Sequence, residues 1–409
     1  MQVDRILGFF GTFALASVST FVVTSGRYGD VSHPTRLIGA VVVLIALHGV
    51  RFLRLWISRE VVLNLAFLSY ALLTLLWADH VKIAMEILPA FVTFTLVLIL
   101  FSALTVYHDV RAVLCGIFAG FLAAAAMYSL TTGFPLSYPD DFSYNTIAGM
   151  YLFGLFITIV AGAYFRLTVL PLAFSGVLLA LLAATTSIKT NLGFALGVVA
   201  SGLFYFRFSM RNAVRSAVVI ALIASGIAYG VTSNQALVDK VQHGFERVST
   251  GFEVLTSREG DTKGIGLEKR EGWKREGLKG WFVNPVFGYG IEGFRGDFGI
   301  TSHSTPIDLL YNSGVIGCGL FYGLLASVAW RLLTARDAHG RSVRARIATF
   351  LIAYSFMSLS GIVYSESLLA IIVAVSSGMI LRLERTTDSA PKWKKRLFPE
   401  PGAPVPKTG

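Results

Sequence analysis

Residues 61–77 read VVLNLAFLSYALLTLLW, a run of apolar residues without a single charged side chain. Two further uncharged runs have the same character, AFVTFTLVLILFSALTV at 90–106 and SLLAIIVAVSSGMIL at 367–381. A bilayer requires roughly 17–25 apolar residues for each helical crossing. Only a helix satisfies its backbone hydrogen bonds within one such segment. These runs therefore predict an all-α integral membrane protein.

The overall composition supports the same class. Hydrophobic residues make up 54% of the 409 residues and charged residues only 14%, whereas soluble proteins carry about 25% charged residues. The two cysteines, Cys115 and Cys318, both fall within predicted spans. Two separated cysteines supply neither a disulfide framework nor a set of cysteine ligands for a metal. No metal and no cofactor are expected.

The hydropathy pattern predicts about twelve transmembrane helices, with one large outer loop between the ninth and the tenth. The predicted spans are 6–23, 36–50, 61–78, 84–106, 111–130, 146–165, 168–186, 190–206, 213–231, 305–333, 345–364 and 367–383. The first span is expected to be retained, because no obvious small-residue cleavage site of a signal peptide follows it. The chain then divides into spans one to nine (1–231), an outer loop with an amphipathic helix (232–304), spans ten to twelve (305–384) and a basic cytoplasmic tail (385–409).

The distribution of basic residues indicates how these spans are oriented. With the N-terminus inside, the inner connections carry Arg51, Arg54, Arg59, Arg111, Arg166, Arg207, Arg211, Arg215, Arg331, Arg336, Arg341, Arg344 and Arg346. Apart from the long loop, the outer connections carry only Arg27, Arg36, Lys82 and Lys189. Both termini are therefore expected in the cytoplasm and the long loop outside. The net charge of +11 is largely a consequence of this topology, so no nucleic-acid partner is expected.

The outer loop is itself basic. Long translocated loops tolerate such charge, but an outward basic surface also suits an anionic ligand such as a phosphate or an acidic sugar. Within it, residues 268–283, EKREGWKREGLKGWFV, predict an amphipathic helix on the membrane surface. Arg270 and Lys274 share one face of this helix, and Trp273 and Trp281 are expected at the interface. The helix either presents solvated charges or binds a diphosphate through Arg270 and Lys274.

Residues 302–317, SHSTPIDLLYNSGVIG, open the tenth predicted span. Thr305 fits an N-cap, Pro306 the first helical position and Asp308 the acid of a capping box. His303 is not needed for this cap. It precedes a helix N-terminus, where free N–H groups attract phosphate and disfavour a protonated imidazole, so the ring stays able to accept a proton. Close helix packing is expected to explain the glycines that follow, Gly314, Gly317, Gly319 and Gly323.

Two more positions on the outer side are candidates for a site. Lys189 lies in TTSIKTNLG (185–193), where the connection between two spans is very short. A lysine there either extends its ammonium toward water or serves a function at membrane depth. Asn145 lies at the outer start of the sixth span, in FSYNTIAGMY (142–151), where it also fits a helix N-cap.

Several of these segments together resemble the superfamily of O-antigen ligases and Wzy-type polysaccharide polymerases. NPVFGYGIEGF (284–294) is similar to its Pro-x-x-Gly-x-Gly turn, and His303 is followed eleven residues later by Gly314, which opens a GxxG. Arg270 and Trp273 match an Arg-x-x-Trp pattern, and YNTIA (144–148) resembles an Asn-x-x-Ala at the head of a span. The chain departs from the family where Ser304 replaces the usual asparagine and Lys189 the usual arginine, which loses the forked guanidinium.

The resemblance implies glycan transfer on the periplasmic face of a bacterial inner membrane. The expected donor is an undecaprenyl-pyrophosphate-linked oligosaccharide, and the acceptor is a glycan or a lipid-linked acceptor in the same bilayer. His303 is expected to be the catalytic base, and Arg270 and Lys189 are expected to bind the pyrophosphate, with Lys274 as a weaker candidate and Asn145 as a supporting residue. A chain-length regulator protein is a further partner that the resemblance suggests.

Three functions stay open at this point. A polymerase of O-antigen or exopolysaccharide is favoured over a ligase to lipid A core, on the departures from the family pattern. A polysaccharide transporter or flippase has the same number of spans and the same cytoplasmic termini. Transporters usually show repeat symmetry and broken helices near the midplane, whereas the single long outer loop here makes the sequence asymmetric.

Overall fold

The computed structural model describes residues 2–25, 37–43, 45, 58–133, 144–165, 169–185, 187–205, 267–334 and 341–388. Within these ranges the protein is helical and contains no β-strand. The predicted all-α fold is therefore confirmed for the described part of the chain. The ninth predicted span, the outer loop up to residue 266 and residues 389–409 of the C-terminal tail lie outside the described ranges.

The described part of the chain contains twelve α-helices with defined bounds. They are α1 Gln2–Ser25, α2 Arg59–Leu73, α3 Val81–Tyr107, α4 Val110–Thr132, α5 Tyr144–Phe165, α6 Val169–Ala184, α7 Ile188–Tyr205, α8 Leu267–Val283, α9 Gly293–Phe298, α10 Thr305–Thr334, α11 Arg341–Ser358 and α12 Ser367–Asp388. A 3₁₀ turn, Thr74–Leu76, extends α2, and residues 37–43 are also helical. Two of the helices, α8 and α9, belong to the predicted outer loop, so this number is not a count of spans.

Five segments in the described ranges are long and apolar enough to cross a membrane. They are Arg59–Leu76, Val81–Tyr107, Val110–Thr132, Ile147–Phe165 and Thr305–Thr334. Shorter apolar helices are Arg5–Thr20, Ala173–Leu182 and Ser367–Arg382. These helices identify a helical membrane protein, while the total of twelve spans stays a prediction.

Small residues let the helices approach closely. Gly116 and Gly120 on α4 face α1, where a Cβ would lie only 2.4 Å and 2.5 Å from the carbonyl oxygens of Phe9 and Phe13. Gly197 on α7 lies equally close to Thr349 of α11. Such contacts are typical of membrane helices, whose association depends on close packing rather than on expulsion of water.

A buried ion pair joins α2, α10 and α12. Glu60 is 1% exposed, and its carboxylate accepts hydrogen bonds from Arg331 at 2.9 Å, Ser377 at 3.0 Å and Ser327 at 3.3 Å. A buried charge is tolerated only when it is paired and hydrogen-bonded in this way. The cluster fixes the relative positions of the three helices.

The long helix α10 is broken at Gly314. This residue has φ 60° and ψ −164°, a conformation that glycine adopts without steric cost. The turn formed by residues 284–290 fills the break, and a Cβ at Gly314 would lie only 2.1 Å from the carbonyl oxygen of Val286. Gly314 is therefore required both for the backbone conformation and for the close approach of the turn.

Backbone hydrogen bonds join this turn to the broken helix. Val315 N donates to Pro285 O at 2.9 Å, Tyr289 N to Tyr311 O at 2.9 Å and Gly290 N to Asn312 O at 2.8 Å. Irregular backbone at membrane depth is tolerated where protein supplies such partners. The Pro-x-x-Gly-x-Gly motif and Gly314 thus have a common structural purpose.

Two details of the sequence interpretation are wrong. A Cβ at Gly319 or Gly323 would meet no heavy atom within 4 Å, so close packing does not explain these two glycines within the described part of the chain. The eleventh predicted span, 345–364, is also too long, because α11 ends at Ser358. Residues 359–366 form a connection to α12, which we call the α11–α12 loop.

Candidate functional site

Two of the residues singled out by the sequence, His303 and Lys189, lie on segments at the end of the bundle where α10 begins. Four segments converge there: the start of α7, helix α8, the turn at 302–304 and the α11–α12 loop at 359–366. Each brings at least one polar or ionisable side chain to the others, as the contacts below show. We call this group of segments the candidate site.

His303 occupies a strained turn just before α10. Its φ of 56° lies in the left-handed region, which is unfavourable for a residue with a side chain. The imidazole is half-buried and lies against the indole of Trp273 on α8, with ring centroids 5.6 Å apart and planes inclined by 35°. The structure therefore places Trp273 against His303, although the sequence suggested a role at the membrane interface.

Hydrogen bonds hold the turn on both sides of His303. Ser302 N donates to Asp308 Oδ1 at 3.1 Å, and Ser302 Oγ donates to the carbonyl oxygen of Ser304 at 2.9 Å. Ser304 N donates in return to Ser302 Oγ at 3.2 Å. Ser302 and Ser304 are both buried, so the imidazole projects from a rigid base.

The predicted capping box at Thr305 and Asp308 is wrong in its partners. Thr305 N and Thr305 Oγ1 both donate to the carbonyl oxygen of Gly361, at 3.1 Å and 2.7 Å. The same hydroxyl accepts from Val363 N at 2.9 Å, while Asp308 binds Ser302 N instead of the cap. A tertiary contact with the α11–α12 loop thus replaces the local cap. The carbonyl oxygen of Gly361 and the N–H of Val363 take the places that groups of the helix itself would fill.

Lys189 reaches the same loop from α7. Its Nζ donates to the carbonyl oxygen of Ser360 at 3.3 Å, and a Cβ on Gly361 would lie 2.2 Å from that Nζ. Since Gly361 also bonds Thr305, two residues after His303, the loop connects the lysine with the histidine. Lys189 and the turn that carries His303 therefore contact the same loop.

Glu366 is an acid of the site that the sequence interpretation missed. Burial raises the pKa of Glu366 to about 7, and the positive charge of Lys189 opposes this rise. The only signal in the sequence was an acid directly before the apolar run of α12. Such a carboxyl can accept or release a proton near neutral pH.

Two further acids, Asp308 and Glu292, lie near the turn and share a contact with Tyr364. Asp308 is 1% exposed, and its Oδ2 accepts from the hydroxyl of Tyr364 at 2.7 Å and from Asn312 Nδ2 at 3.1 Å. The same hydroxyl lies 3.4 Å from Glu292 Oε1, and Arg295 lies 3.8 Å from the other oxygen of Glu292.

The two acids influence each other electrostatically. Burial raises the pKa of Glu292 to about 7, and the nearby charge of Asp308 adds to the rise while Arg295 opposes it. Near neutral pH, Glu292 can therefore gain or lose a proton beside Asp308. Arg295 also pairs at 3.2 Å with Glu86 at the surface.

Helix α8 packs on the first half of α10 through two glycines. A Cβ on Gly277 would lie 2.6 Å from Ile307, and one on Gly280 2.2 Å from the ring of Tyr311. Trp273, Gly277 and Gly280 recur at helical spacing, so one face of α8 follows α10 down from His303. Phe282 at the end of the helix is 71% exposed, as expected for a surface that contacts lipid.

The remaining predicted residues are placed only in part. Arg270 lies on α8 one turn before Trp273, and Asn145 is the second residue of α5; both side chains lie outside the described residues. Lys274 is half-buried on α8. Across the described ranges, no group of three or more His, Cys, Asp and Glu side chains is arranged to hold a metal ion.

Comparison of the chain with protein-family models finds no match, and comparison with curated protein sequences finds none either. The function must therefore be argued from the motif residues and from the geometry that the structure gives them.

Proposed function

We propose that the protein is a membrane glycosyltransferase that polymerises surface polysaccharide from an undecaprenyl-pyrophosphate-linked oligosaccharide. The observation that carries the proposal is that Lys189 and Thr305, two residues after His303, both donate to the α11–α12 loop at the N-terminus of α10. A base and a cation at one helix terminus are the groups that transfer from a lipid pyrophosphate requires. The predicted orientation puts this end of the bundle on the periplasmic face of the inner membrane, with both termini in the cytoplasm.

The reaction joins an acceptor hydroxyl to the anomeric carbon of the donor sugar. As the new carbon–oxygen bond forms, the bond from the anomeric carbon to the phosphate oxygen breaks and the lipid pyrophosphate leaves. Its growing negative charge is stabilised by fixed cations, for which Lys189 and Arg270 are the candidates, with Lys274 farther along the same helix. The acceptor proton passes to the imidazole of His303.

The location of His303 suits a general base. A protonated imidazole is disfavoured at the positive end of a helix dipole, and α10 begins two residues later. The predicted attraction of phosphate by free N–H groups does not apply to this first turn, because Thr305 N donates to Gly361 O, Asp308 N donates to Ser304 O and Pro306 has no N–H, so the anion depends on the cations.

A transporter is the second candidate, and one observation favours it. Helix α10 is broken at Gly314, and broken helices are typical of transporters, where they expose backbone groups to the substrate. In this protein, however, the turn at 284–290 bonds to the backbone on both sides of the break. A break that is filled by protein offers no substrate site, so the transferase is the better proposal.

Glycan analysis of a gene deletion tests the proposal and separates its versions. A polymerase predicts loss of long-chain polysaccharide and accumulation of single lipid-linked repeats. A ligase to lipid A core predicts full-length polymer that stays on the lipid carrier. Normal polysaccharide, with a transported solute missing instead, would refute both and support the transporter.

A further inference from the structure

Asp308 is a buried acid within a helix long and apolar enough to span a membrane. An isolated carboxylate in such a place is strongly unfavourable. Here its two oxygens accept three hydrogen bonds, from Ser302 N at 3.1 Å, Tyr364 at 2.7 Å and Asn312 at 3.1 Å. A group that costs so much to bury and is so fully bonded indicates a requirement at this position.

The turn that carries His303 accounts for this buried acid. Its left-handed backbone, with φ 56°, persists only where the surrounding structure imposes it. The bond from Ser302 N to Asp308 fixes the backbone directly before the strained residue. On the other side, Thr305 is held by the α11–α12 loop, so the turn is clamped at both ends.

Tyr364 connects the two clamps. It belongs to the α11–α12 loop, the same loop that binds Thr305 and Lys189, and its hydroxyl donates to Asp308. The α11–α12 loop therefore contacts both Lys189 and the residues that hold the histidine turn. The tyrosine ring is fixed in turn by stacking on Phe91, with centroids 5.5 Å apart.

We propose that Asp308 is the positioning residue for His303: through Ser302 N it holds the left-handed turn that points the imidazole along Trp273, and Tyr364 holds the carboxylate in place. The inference rests on the proposed function only in taking His303 as the base. Asp308 itself does not touch the reacting groups. Its effect is to keep the ring in one orientation before the substrate arrives, which is where enzymes gain from preorganisation.

The test measures His303 directly. The full-length protein in detergent is treated with diethyl pyrocarbonate, which modifies neutral imidazoles, and modification of the His303 peptide is followed by mass spectrometry. Asp308→Ala should raise the rate at His303 roughly tenfold, because loss of the acceptor for the buried Ser302 N leaves the turn free to open. Asp308→Asn should raise the rate less than Asp308→Ala, since an amide oxygen can still accept from Ser302 N although the amide nitrogen cannot accept from Tyr364 and Asn312.

Glu60→Gln is the matched control, because Glu60 is an equally buried acid with three hydrogen-bond partners but has no contact with the turn. It should leave the His303 rate unchanged. If Asp308→Ala gives no folded protein by size-exclusion chromatography, Tyr364→Phe decides instead, with a rise of a few-fold expected. If His303 is modified at the wild-type rate in whichever of these two variants is folded, the inference is wrong.

The same variants separate this inference from the proposed function. If the inference holds, polysaccharide assembly is lost in Asp308→Ala and retained in part in Asp308→Asn. Normal assembly in His303→Ala would refute the proposed function, yet the modification rates would still report whether Asp308 holds the turn. Loss of assembly in His303→Ala together with unchanged modification in Asp308→Ala would refute the inference alone.

Discussion

The indole of Trp273 and the imidazole of His303 lie 5.6 Å apart between ring centroids. The first residue belongs to the surface helix α8 and the second to the turn before α10, so the contact joins two elements far apart in the chain. Helix α8 also carries Arg270 one turn earlier. The same helix thus contacts the proposed base and contains the arginine proposed to bind the leaving group.

His303→Ala should abolish polysaccharide assembly while the protein still reaches the membrane. Loss of a general base lowers a rate by roughly 100-fold or more, which is enough to remove long chains from a gel of surface polysaccharide. His80→Gln is the control, because His80 bonds to Asp297 at 2.9 Å and has no role in the proposed chemistry. Normal long-chain glycan in His303→Ala would show that the imidazole is not the base.

Arg270→Lys should be poorly tolerated. A lysine keeps the charge but cannot form the forked pair of hydrogen bonds that a guanidinium makes with a phosphate. We expect a loss of roughly tenfold in the rate of polymer formation, the effect of one hydrogen bond to a charged group. Arg275→Lys, at an exposed position of the same helix, should behave like the wild type. Equal activity of both variants would mean that Arg270 is merely solvated.

Gly361→Ala should impair activity without unfolding the protein. The added methyl group would lie 2.2 Å from Lys189 Nζ, and the flexible lysine can move away, so the fold persists while the ammonium is displaced. If Lys189 stabilises the leaving pyrophosphate, polymer formation should fall roughly tenfold. Gly319→Ala, which meets no described atom within 4 Å, is the control, and equal polymer yields from the two variants would argue against the lysine's role.

Gly314→Ala should destabilise the fold. Alanine is strained at a positive φ, and its Cβ would collide with the carbonyl of Val286, so a loss of about 2 kcal/mol or more is expected. Gly323→Ala lies in open space within α10 and should be neutral or stabilising by about 0.5–1 kcal/mol. Thermal unfolding of both variants in detergent measures the difference. Equal melting temperatures would mean that the turn at 284–290 is not seated in the break.

The stability of the protein should fall as the pH rises toward 7, in part because of Glu292. Its folded pKa of about 7 lies above the ordinary value of 4.5, so the folded state binds more protons than the unfolded state between these pH values. This stabilisation is complete below pH 4.5 and decreases by about 3 kcal/mol as the pH passes through the folded pKa.

Thermal unfolding between about pH 4.5 and 8 measures this dependence. Glu292→Gln should flatten the curve, whereas Glu86→Gln, at a carboxyl that is 61% exposed, should leave the curve as steep as in the wild type. Some slope should persist in Glu292→Gln, because Glu366 titrates in the same range. An unchanged curve in Glu292→Gln would mean that Glu292 does not hold its proton in the folded protein.

The helices themselves were largely predictable. The predicted span 84–106 lies inside α3, Val81–Tyr107, and the predicted span 305–333 nearly coincides with α10. Long apolar runs are decided locally, since every backbone bond closes within the segment. The break at Gly314 was not predictable in this way, because a glycine in a helical pattern looks the same whether or not a distant turn fills the space beside it.

The candidate site was predictable only residue by residue. His303 and Lys189 were both identified from their surroundings in the chain, but the loop that connects them was predicted as the end of a transmembrane span. The residues of that loop are mostly apolar, and only the bonds from Thr305 show that its backbone leaves the helix. Glu366 and the role of Asp308 depend on these tertiary contacts and have no local signature.

The turn at 284–290, seated in the break of α10, sets a limit on how the protein can be altered. Its three backbone hydrogen bonds replace those that a continuous helix would make. An epitope tag or protease site inserted into the turn would remove these bonds and leave the break in α10 unfilled. Related sequences with a functional site of this kind should keep this stretch at constant length. Insertions between α8 and α10 belong instead at the exposed Gly299, where a Cβ would meet no described atom within 4 Å.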